Sequence, residues 1–158
     1  MTSEEPRVGL TRLGLVGLLV GFLLNLTGWL GNNFVLDGLW KEVGEAALQV
    51  EWRNSIWRDV FSFVPDYLYG FAIVWLCLVL RRGSASPLAA ALQAGLFVSL
   101  VGGITTYFAI ANSGFIPWKL AFASFILVFA TKLPLAVLAG RMLFRVSSRT
   151  RSGREDGG

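Results

Sequence analysis

Four long apolar stretches, separated by short charged segments, dominate the chain. They run from Leu13 to Leu30, from Phe63 to Leu80, from Leu88 to Ala111 and from Leu120 to Phe144. Each has about 20 residues, the length that a helix rising about 1.5 Å per residue needs to cross a hydrocarbon core of about 30 Å. Membrane strands alternate apolar and polar positions, which these stretches do not. The pattern predicts an all-α membrane protein with four transmembrane helices.

The apolar stretches predict a single domain over residues 1–145, an up-down bundle with spans at about 10–31, 63–82, 87–111 and 118–144. The first stretch also has the basic start and apolar middle of a signal peptide. A retained helix is favoured because no small-x-small cleavage site lies between Asn25 and Trp29. Residues 146–158 lack an apolar pattern and predict a basic, disordered cytoplasmic tail.

The outer segment 36–61, between the first two spans, has an amphipathic pattern. Apolar residues recur at three- and four-residue spacing, with charged residues between them: Leu36, Leu39, Trp40, Val43, Ala47, Val50, Trp57, Val60 and Phe61. The pattern predicts an outer interfacial helix that is broken near Arg53 to Ser55. Either this helix covers the outer ends of the spans, or it forms a lid or a docking face for a partner.

Basic residues are concentrated on one side of the predicted spans. That side has Arg7, Arg12, Arg81, Arg82, Arg141, Arg145, Arg149, Arg151 and Arg154, whereas the other has Lys41, Arg53, Arg58 and Lys119. The positive-inside rule therefore predicts that both termini are cytoplasmic. Five of the six tryptophans lie in or beside the outer segments, which agrees with this orientation. The net charge of +4 follows from the orientation, so we expect no nucleic-acid partner.

The composition excludes several kinds of catalytic and metal site. The chain has no histidine, and Cys77 is its single cysteine. Histidine metal sites, Ser-His-Asp triads, Cys-His nucleophiles and CxxC redox pairs are therefore ruled out. Cys77 lies within an apolar stretch, where a cysteine usually serves as a small packing residue. We expect no enzymatic activity, no metal and no cofactor.

Lys132 is the leading candidate for a ligand-binding residue. It lies near the middle of the fourth span, where an ammonium group costs about 2.5 to 3.5 kcal/mol. Pro134 frees the carbonyl of Ala130 close to it. Lys132 either binds an anionic headgroup, a substrate or a proton inside the bundle, or it snorkels toward the cytoplasmic interface. The nearest carboxylate, Asp66, follows Pro65 at the start of the second span and is expected to cap that helix.

Polar residues of two spans lie at a similar predicted depth on the outer side. They are Asn25 in the first span and Thr105, Thr106 and Tyr107 in the third. One interpretation is a shallow polar pocket that opens outward and has Asp66 at its rim. The other is a set of interhelical hydrogen bonds, each worth about 0.6 to 2 kcal/mol.

Short motifs in all four spans resemble those of a known group of membrane proteins. They are Gly17-x3-Gly21-x3-Asn25, then Tyr69-Gly70 and Trp75-Leu76 before Arg81-Arg82, then Ala94-Gly95, and finally Pro134-Leu135-Ala136, Gly140 and Arg145. Over about residues 10–145, the chain resembles short four-helix bacterial inner-membrane proteins that are classed as domains of unknown function. The resemblance implies a multi-pass protein of the bacterial cytoplasmic membrane. Those proteins carry an acidic residue just before the fourth-helix proline, where this chain has Lys132.

These features predict a non-enzymatic membrane module that binds a lipid or another membrane protein. The expected partners are the lipid bilayer and either a membrane protein or further copies of the chain. The alternative is a small oligomeric transporter or channel that uses Lys132. A lipid-facing Lys132 argues against that alternative, and a polar surrounding for Lys132 favours it.

Overall fold

The computed structural model of the chain describes residues 8–47 and 56–144, with side chains for residues 8–43 and 63–144. Its helices are α1 (Leu10–Leu30), α2 (Asp37–Ala47), α3 (Ile56–Arg81), α4 (Pro87–Gly103), α5 (Ala109–Asn112) and α6 (Trp118–Phe144). A π-helical turn at Gly31–Val35 continues α1, and another at Ile104–Phe108 joins α4 to α5. All regular elements in that part of the chain are helices, and it contains no strand.

Four helical stretches are long and apolar enough to cross a membrane, as the sequence predicts. They are Leu10–Val35, Phe63–Arg81, Pro87–Asn112 and Trp118–Phe144. Their large apolar side chains are mostly on the outside, where Trp75 and Ile126 are 63% and 66% exposed, whereas Ala94 and Ala136 are fully buried. Helices in lipid associate through close backbone packing rather than by removing apolar surface from water. Small residues therefore lie where the helices approach each other most closely.

The four long helices surround the larger of two core clusters. Helix α1 packs on α3, α3 on α4 and α4 on α6, and α1 also contacts α6. The core is built mainly from aliphatic residues and alanines: Val16, Val20, Leu24, Ile73, Val74, Cys77, Ala91, Ala94, Val98, Ala136, Ala139 and Leu143. Cys77 is fully buried among them, in agreement with its predicted packing role.

Glycines set the close contact between α1 and α3. A Cβ atom added to Gly70 would lie 2.5 Å from the backbone nitrogen of Gly21 and 2.7 Å from the carbonyl oxygen of Gly17. A Cβ atom on Gly17 would meet the ring of Phe71, and one on Gly21 would lie 2.8 Å from the Cα atom of Tyr67. The Gly17–Gly21 pair therefore serves packing within the chain.

Close contacts at glycines also bring α4 and α6 together. A Cβ atom added to Gly95 would lie 2.7 Å from the Cβ atom of Ala136, and one on Gly140 would lie 2.6 Å from that of Ala91. Ser86 caps the start of α4, where its hydroxyl accepts a hydrogen bond of 3.1 Å from the backbone N–H of Ala89. Small residues on both helices thus hold the two backbones close together.

The outer segment is divided differently from the prediction. Residues 56–61, expected to belong to the separate outer helix, are the first turns of α3. Membrane helices tolerate proline where neighbouring groups satisfy the freed carbonyl, and α3 continues through Pro65. The predicted break near Arg53 to Ser55 and the predicted tail at 146–158 lie outside the described residues.

Helix α2 starts on the predicted outer end of the bundle. Leu36, just before α2, is 3% exposed and belongs to a second core cluster with Ala111, Ile116, Leu120 and Ala121. Leu39, Trp40 and Val43 pack against this cluster. The indole Nε1 of Trp40 donates a hydrogen bond of 2.9 Å to the Oδ1 atom of Asn32. These contacts turn the apolar side of α2 toward α5 and α6.

Candidate functional site

Four of the six predicted site residues lie together between the long helices. They are Asn25 on α1, Asp66 on α3, Tyr107 in the π-helical turn after α4 and Lys132 on α6, and Tyr69 of α3 joins them. We call these five residues the polar cluster. It gathers one carboxylate, one ammonium group, one amide and two phenol groups toward the predicted outer end.

Lys132 lies inside the bundle and does not face lipid. It is 6% exposed, and its Nζ atom lies 3.5 Å from the centroid of the Tyr69 ring. This geometry is a cation–π contact. Helical side chains tilt toward the N-terminus of their helix, so the ammonium group points away from the basic end of α6. The structure therefore does not support snorkelling to the cytoplasmic interface.

A glycine on α4 provides the space for this arrangement. A Cβ atom at Gly102 would lie 3.0 Å from the Nζ atom of Lys132 and 3.0 Å from the hydroxyl oxygen of Tyr69. Any side chain at position 102 would displace one of these two groups. Gly102 thus belongs to the site because its lack of a side chain leaves room for Lys132 and Tyr69.

The predicted capping role of Asp66 is wrong, because α3 begins at Ile56, ten residues earlier. Asp66 instead lies within the helix, where its Oδ2 atom accepts a hydrogen bond of 3.3 Å from the Nδ2 atom of Asn25. It is also the carboxylate whose charge interacts with that of the Lys132 ammonium group. Their separation exceeds 4.0 Å, so they form no direct ion pair.

Tyr107 joins the cluster from the π-helical turn that follows α4. It is half-buried and interacts electrostatically with both Asp66 and Tyr69. The π-helical turn at Ile104–Phe108 sets this position, because a π turn carries an additional residue relative to an α turn. Its ring also packs beside the second core cluster under α2.

Thr105 and Thr106 do not join the polar cluster. Both side chains are exposed, and the hydroxyl of Thr105 donates a hydrogen bond of 2.5 Å to the carbonyl of Val101 in its own helix. The same π-helical turn that brings Tyr107 inward directs its two predecessors outward. The structure therefore does not place them in the predicted pocket.

Several polar residues of the interior escaped the sequence reasoning. Tyr69 appears in the sequence as part of the Tyr69-Gly70 motif, and its spacing of three from Asp66 also puts the two side chains on one helical face. Ser99 on α4 and Ser124 on α6 are 0% and 1% exposed, and their hydroxyls have no hydrogen-bond partner among the described residues. No pattern in the apolar runs distinguishes these serines from ordinary small packing residues.

A second feature lies at the opposite, basic end of the bundle. An open groove of about 290 Å³ runs between the start of α4 and the end of α6, lined by Ser86, Pro87, Leu88, Val137, Gly140, Arg141 and Phe144. Arg141 is exposed there. Sequence reasoning used Arg141 only to establish orientation, because a groove between two helices leaves no local pattern.

Arginine side chains at this end differ in what they contact. The guanidinium of Arg12 donates a hydrogen bond to the carbonyl of Met142 and so ties α1 to the end of α6. That of Arg81 donates a hydrogen bond of 3.1 Å to the carbonyl of Ser84. Within the described part of the chain, Arg141 makes no hydrogen bond or ion pair, so all its donors are available.

Comparisons with protein-family models, curated proteins and solved structures found no match. Among residues 8–47 and 56–144, no three His, Cys, Asp or Glu side chains are grouped so that they could hold a metal ion. The polar cluster and the groove are therefore the two candidate functional sites. The first is amphoteric and mostly buried, and the second is basic, partly apolar and open.

Proposed function

We propose that the chain is a multi-pass protein of the bacterial cytoplasmic membrane that binds an anionic phospholipid in the groove at its basic end. In this proposal it works as a binding module and not as an enzyme. Both termini lie in the cytoplasm, so the groove faces the inner leaflet. The asymmetry of the basic residues in the sequence supports this orientation.

The contacts between helices support an up-down-up-down bundle. Along α1 and α3, Gly17 meets Phe71 and Gly21 meets Tyr67, so residue numbers rise on one helix as they fall on the other. Helices α4 and α6 show the same order, since Gly95 meets Ala136 and Gly140 meets Ala91. The contact of Arg12, near the start of α1, with Met142, near the end of α6, supports an antiparallel arrangement of these two helices as well.

The groove is the observation that carries the lipid proposal. Its lining combines one free guanidinium group, that of Arg141, with the apolar side chains of Leu88, Val137 and Phe144. A phospholipid has the same two parts, a phosphate group and acyl chains. Guanidinium groups bind phosphate oxygens in a bidentate manner, and acyl chains pack along apolar side chains. A peptide partner would not require this pairing of charge and aliphatic surface at the interface.

The test measures retention of phosphatidylglycerol by the purified protein with native mass spectrometry. Arg141→Gln removes the charge, and each basic residue near an anionic surface contributes about 1 kcal/mol, so we expect about fivefold weaker retention. Lys119→Gln at the other end is the matched control because Lys119 is also exposed and basic. Equal loss in both variants would contradict a specific site.

A second pair of variants tests the apolar half of the groove. Val137→Trp fills the groove, whereas Val79→Trp places the same side chain at a position that is 47% exposed and lies outside the groove lining. We expect the first variant alone to lose bound phosphatidylglycerol. If both retain lipid as the wild type does, the groove is not the binding site.

For α2, we favour the covering role over a docking face for a partner. The supporting observation is that Leu36, Leu39, Trp40 and Val43 pack on the bundle, so these apolar side chains are already occupied. A partner that docks on α2 would have to use its charged side or displace it. Crosslinking from an exposed α2 position, Glu42→Cys, should give no adduct with another membrane protein in intact cells.

The second candidate function is a small oligomeric transporter or channel. The observation that favours it is the burial of the Lys132 ammonium group within the bundle, since intramembrane charges often mark ion and proton pathways. Proteoliposomes loaded with a pH-sensitive or a chloride-sensitive dye test this function. Flux that is present in the wild type and lost in Lys132→Ala would support transport. Equal fluorescence traces for dye-loaded vesicles with and without the protein would rule transport out.

A further inference from the structure

Lys132 carries hydrogen-bond donors that the protein does not use. An ammonium group has three N–H donors, and the ring of Tyr69 faces it from one side only. Among the described residues, no oxygen atom accepts a hydrogen bond from it. Lys132 as a residue is 6% exposed, and a buried charge is costly unless it is paired and hydrogen-bonded. The free donors therefore point to an acceptor that the chain itself does not supply.

Asp66 has hydrogen-bond acceptor positions that the protein does not use. An ionised carboxylate offers about four acceptor positions, and Asn25 occupies one of them. The carboxylate and the ammonium group attract each other but remain more than 4.0 Å apart. Two opposite charges thus lie in one cluster without neutralising each other by direct contact.

We propose that the Asp66–Lys132 pair binds a zwitterionic group, with its oxyanion on the Lys132 ammonium group and its ammonium group on the Asp66 carboxylate. The reason is charge balance. The pair has no net charge, and a zwitterion leaves it so, whereas a simple anion or cation would add an uncompensated charge at membrane depth. Each ligand group also supplies the hydrogen-bonding partner that one protein charge lacks.

The burial of the cluster indicates how such a group enters. Asn25, Asp66 and Tyr107 are half-buried, whereas Lys132 is almost completely enclosed. The ligand therefore meets Asp66 first and reaches Lys132 last. Two sources present this chemistry: the phosphoethanolamine headgroup of a phospholipid, or a free α-amino acid from the predicted outer side. This site is separate from the groove at Arg141, and each proposal can fail without the other.

The experiment offers the purified full chain an equimolar mixture of phosphatidylethanolamine and phosphatidylglycerol and counts retained lipids by native mass spectrometry. In parallel, glycine is titrated by calorimetry into protein held in phosphatidylglycerol nanodiscs. Wild type is compared with Asp66→Asn and Lys132→Met. Asp37→Asn and Lys119→Met are matched controls, since Asp37 and Lys119 lie on α2 and at the start of α6, away from the cluster.

We expect each cluster variant to bind the zwitterion roughly thirtyfold or more weakly, because each leaves one charge of the complex unpaired. The two control variants should bind it as the wild type does. Retention of phosphatidylethanolamine identifies the headgroup as the source, and heat from glycine identifies a free amino acid. The double variant Asp66→Asn/Lys132→Met restores neutrality and, if folded, should still fail to bind.

Three results would overturn the proposal. Lys132-dependent preference for phosphatidylglycerol over both zwitterions would make the site a plain anion site. Binding of a zwitterion that survives both single substitutions would place it elsewhere. Absence of binding in folded wild type, judged by its tryptophan emission, would leave Asp66 and Lys132 as a structural pair.

Discussion

The contact between α1 and α3 leads to a quantitative prediction about Gly70. Replacing Gly70 with alanine adds a Cβ atom 2.5 Å from the backbone nitrogen of Gly21. Ordinary van der Waals contact begins at 3.4 Å, so the two backbones must separate by about 0.9 Å at that point. The neighbouring atoms belong to the backbone and cannot rotate away. Overpacking of this kind costs about 1–3 kcal/mol.

Part of that cost is offset by the backbone. Alanine is favoured over glycine in a helix by about 0.5–1 kcal/mol. We therefore expect Gly70→Ala to lower the free energy of unfolding by up to about 2.5 kcal/mol. Gly14→Ala is the matched control because a Cβ atom on Gly14 meets nothing within 4 Å. That control has only the backbone gain and should be neutral or more stable than the wild type.

The assay is reversible unfolding in mixed micelles of increasing sodium dodecyl sulfate content, followed by tryptophan fluorescence. Wild type, Gly70→Ala and Gly14→Ala are compared at the same lipid and protein concentrations. If Gly70→Ala unfolds at the same detergent fraction as Gly14→Ala, the two helices do not approach as closely as the glycine contacts indicate. The packing argument for α1 and α3 would then be refuted.

Other contacts lead to predicted losses of stability and, in one case, to a predicted gain. Ser99→Ala removes a buried hydroxyl that has no partner among the described residues, so unfolding in the same micelle assay should be unchanged or shifted toward higher stability, by up to about 1 kcal/mol. Ser86→Ala removes the cap of α4 and should cost about 1 kcal/mol; a shift of the same sign in both would contradict the reasoning. Trp40→Phe loses the hydrogen bond to Asn32, and hydrogen exchange at residues 37–43 should accelerate; unchanged rates would show that this bond does not hold α2. Asn25→Ala should cost about 0.6–2 kcal/mol in the micelle assay, and wild-type stability would show that its amide bond contributes nothing.

The sequence predicted the four long helices because their length and composition follow directly from the thickness of the hydrocarbon core. It did not predict which polar groups would meet. The Pro65–Asp66 pair looks like the start of a helix, and the actual start at Ile56 placed Asp66 in the interior opposite Lys132. The pairing depends on how α3 and α6 rotate about their axes, which packing sets.

The two threonines illustrate a different limit. Depth along a span can be counted from the sequence, and it placed Thr105, Thr106 and Tyr107 on one level. The direction of each side chain depends on the local winding of the helix, and the π-helical turn at Ile104–Phe108 directs only Tyr107 into the cluster. An apolar run gives no signal for such a turn. The groove beside Arg141 was missed for a related reason, since two distant segments form it.

The order of the helices along the chain has a consequence for biogenesis. Helix α1 finds its glycine-matched partner α3 as soon as the second span enters the membrane. On α4, Gly95 is covered by α6, and Gly102 lies against both Tyr69 of α3 and Lys132 of α6, so this close-packing face is complete only once α6 has arrived. A chain stopped after α4 would expose bare backbone to lipid and to the proteases that remove incomplete membrane proteins. Arrival of α6, which also brings Lys132 into the polar cluster, thus completes the close packing of α4.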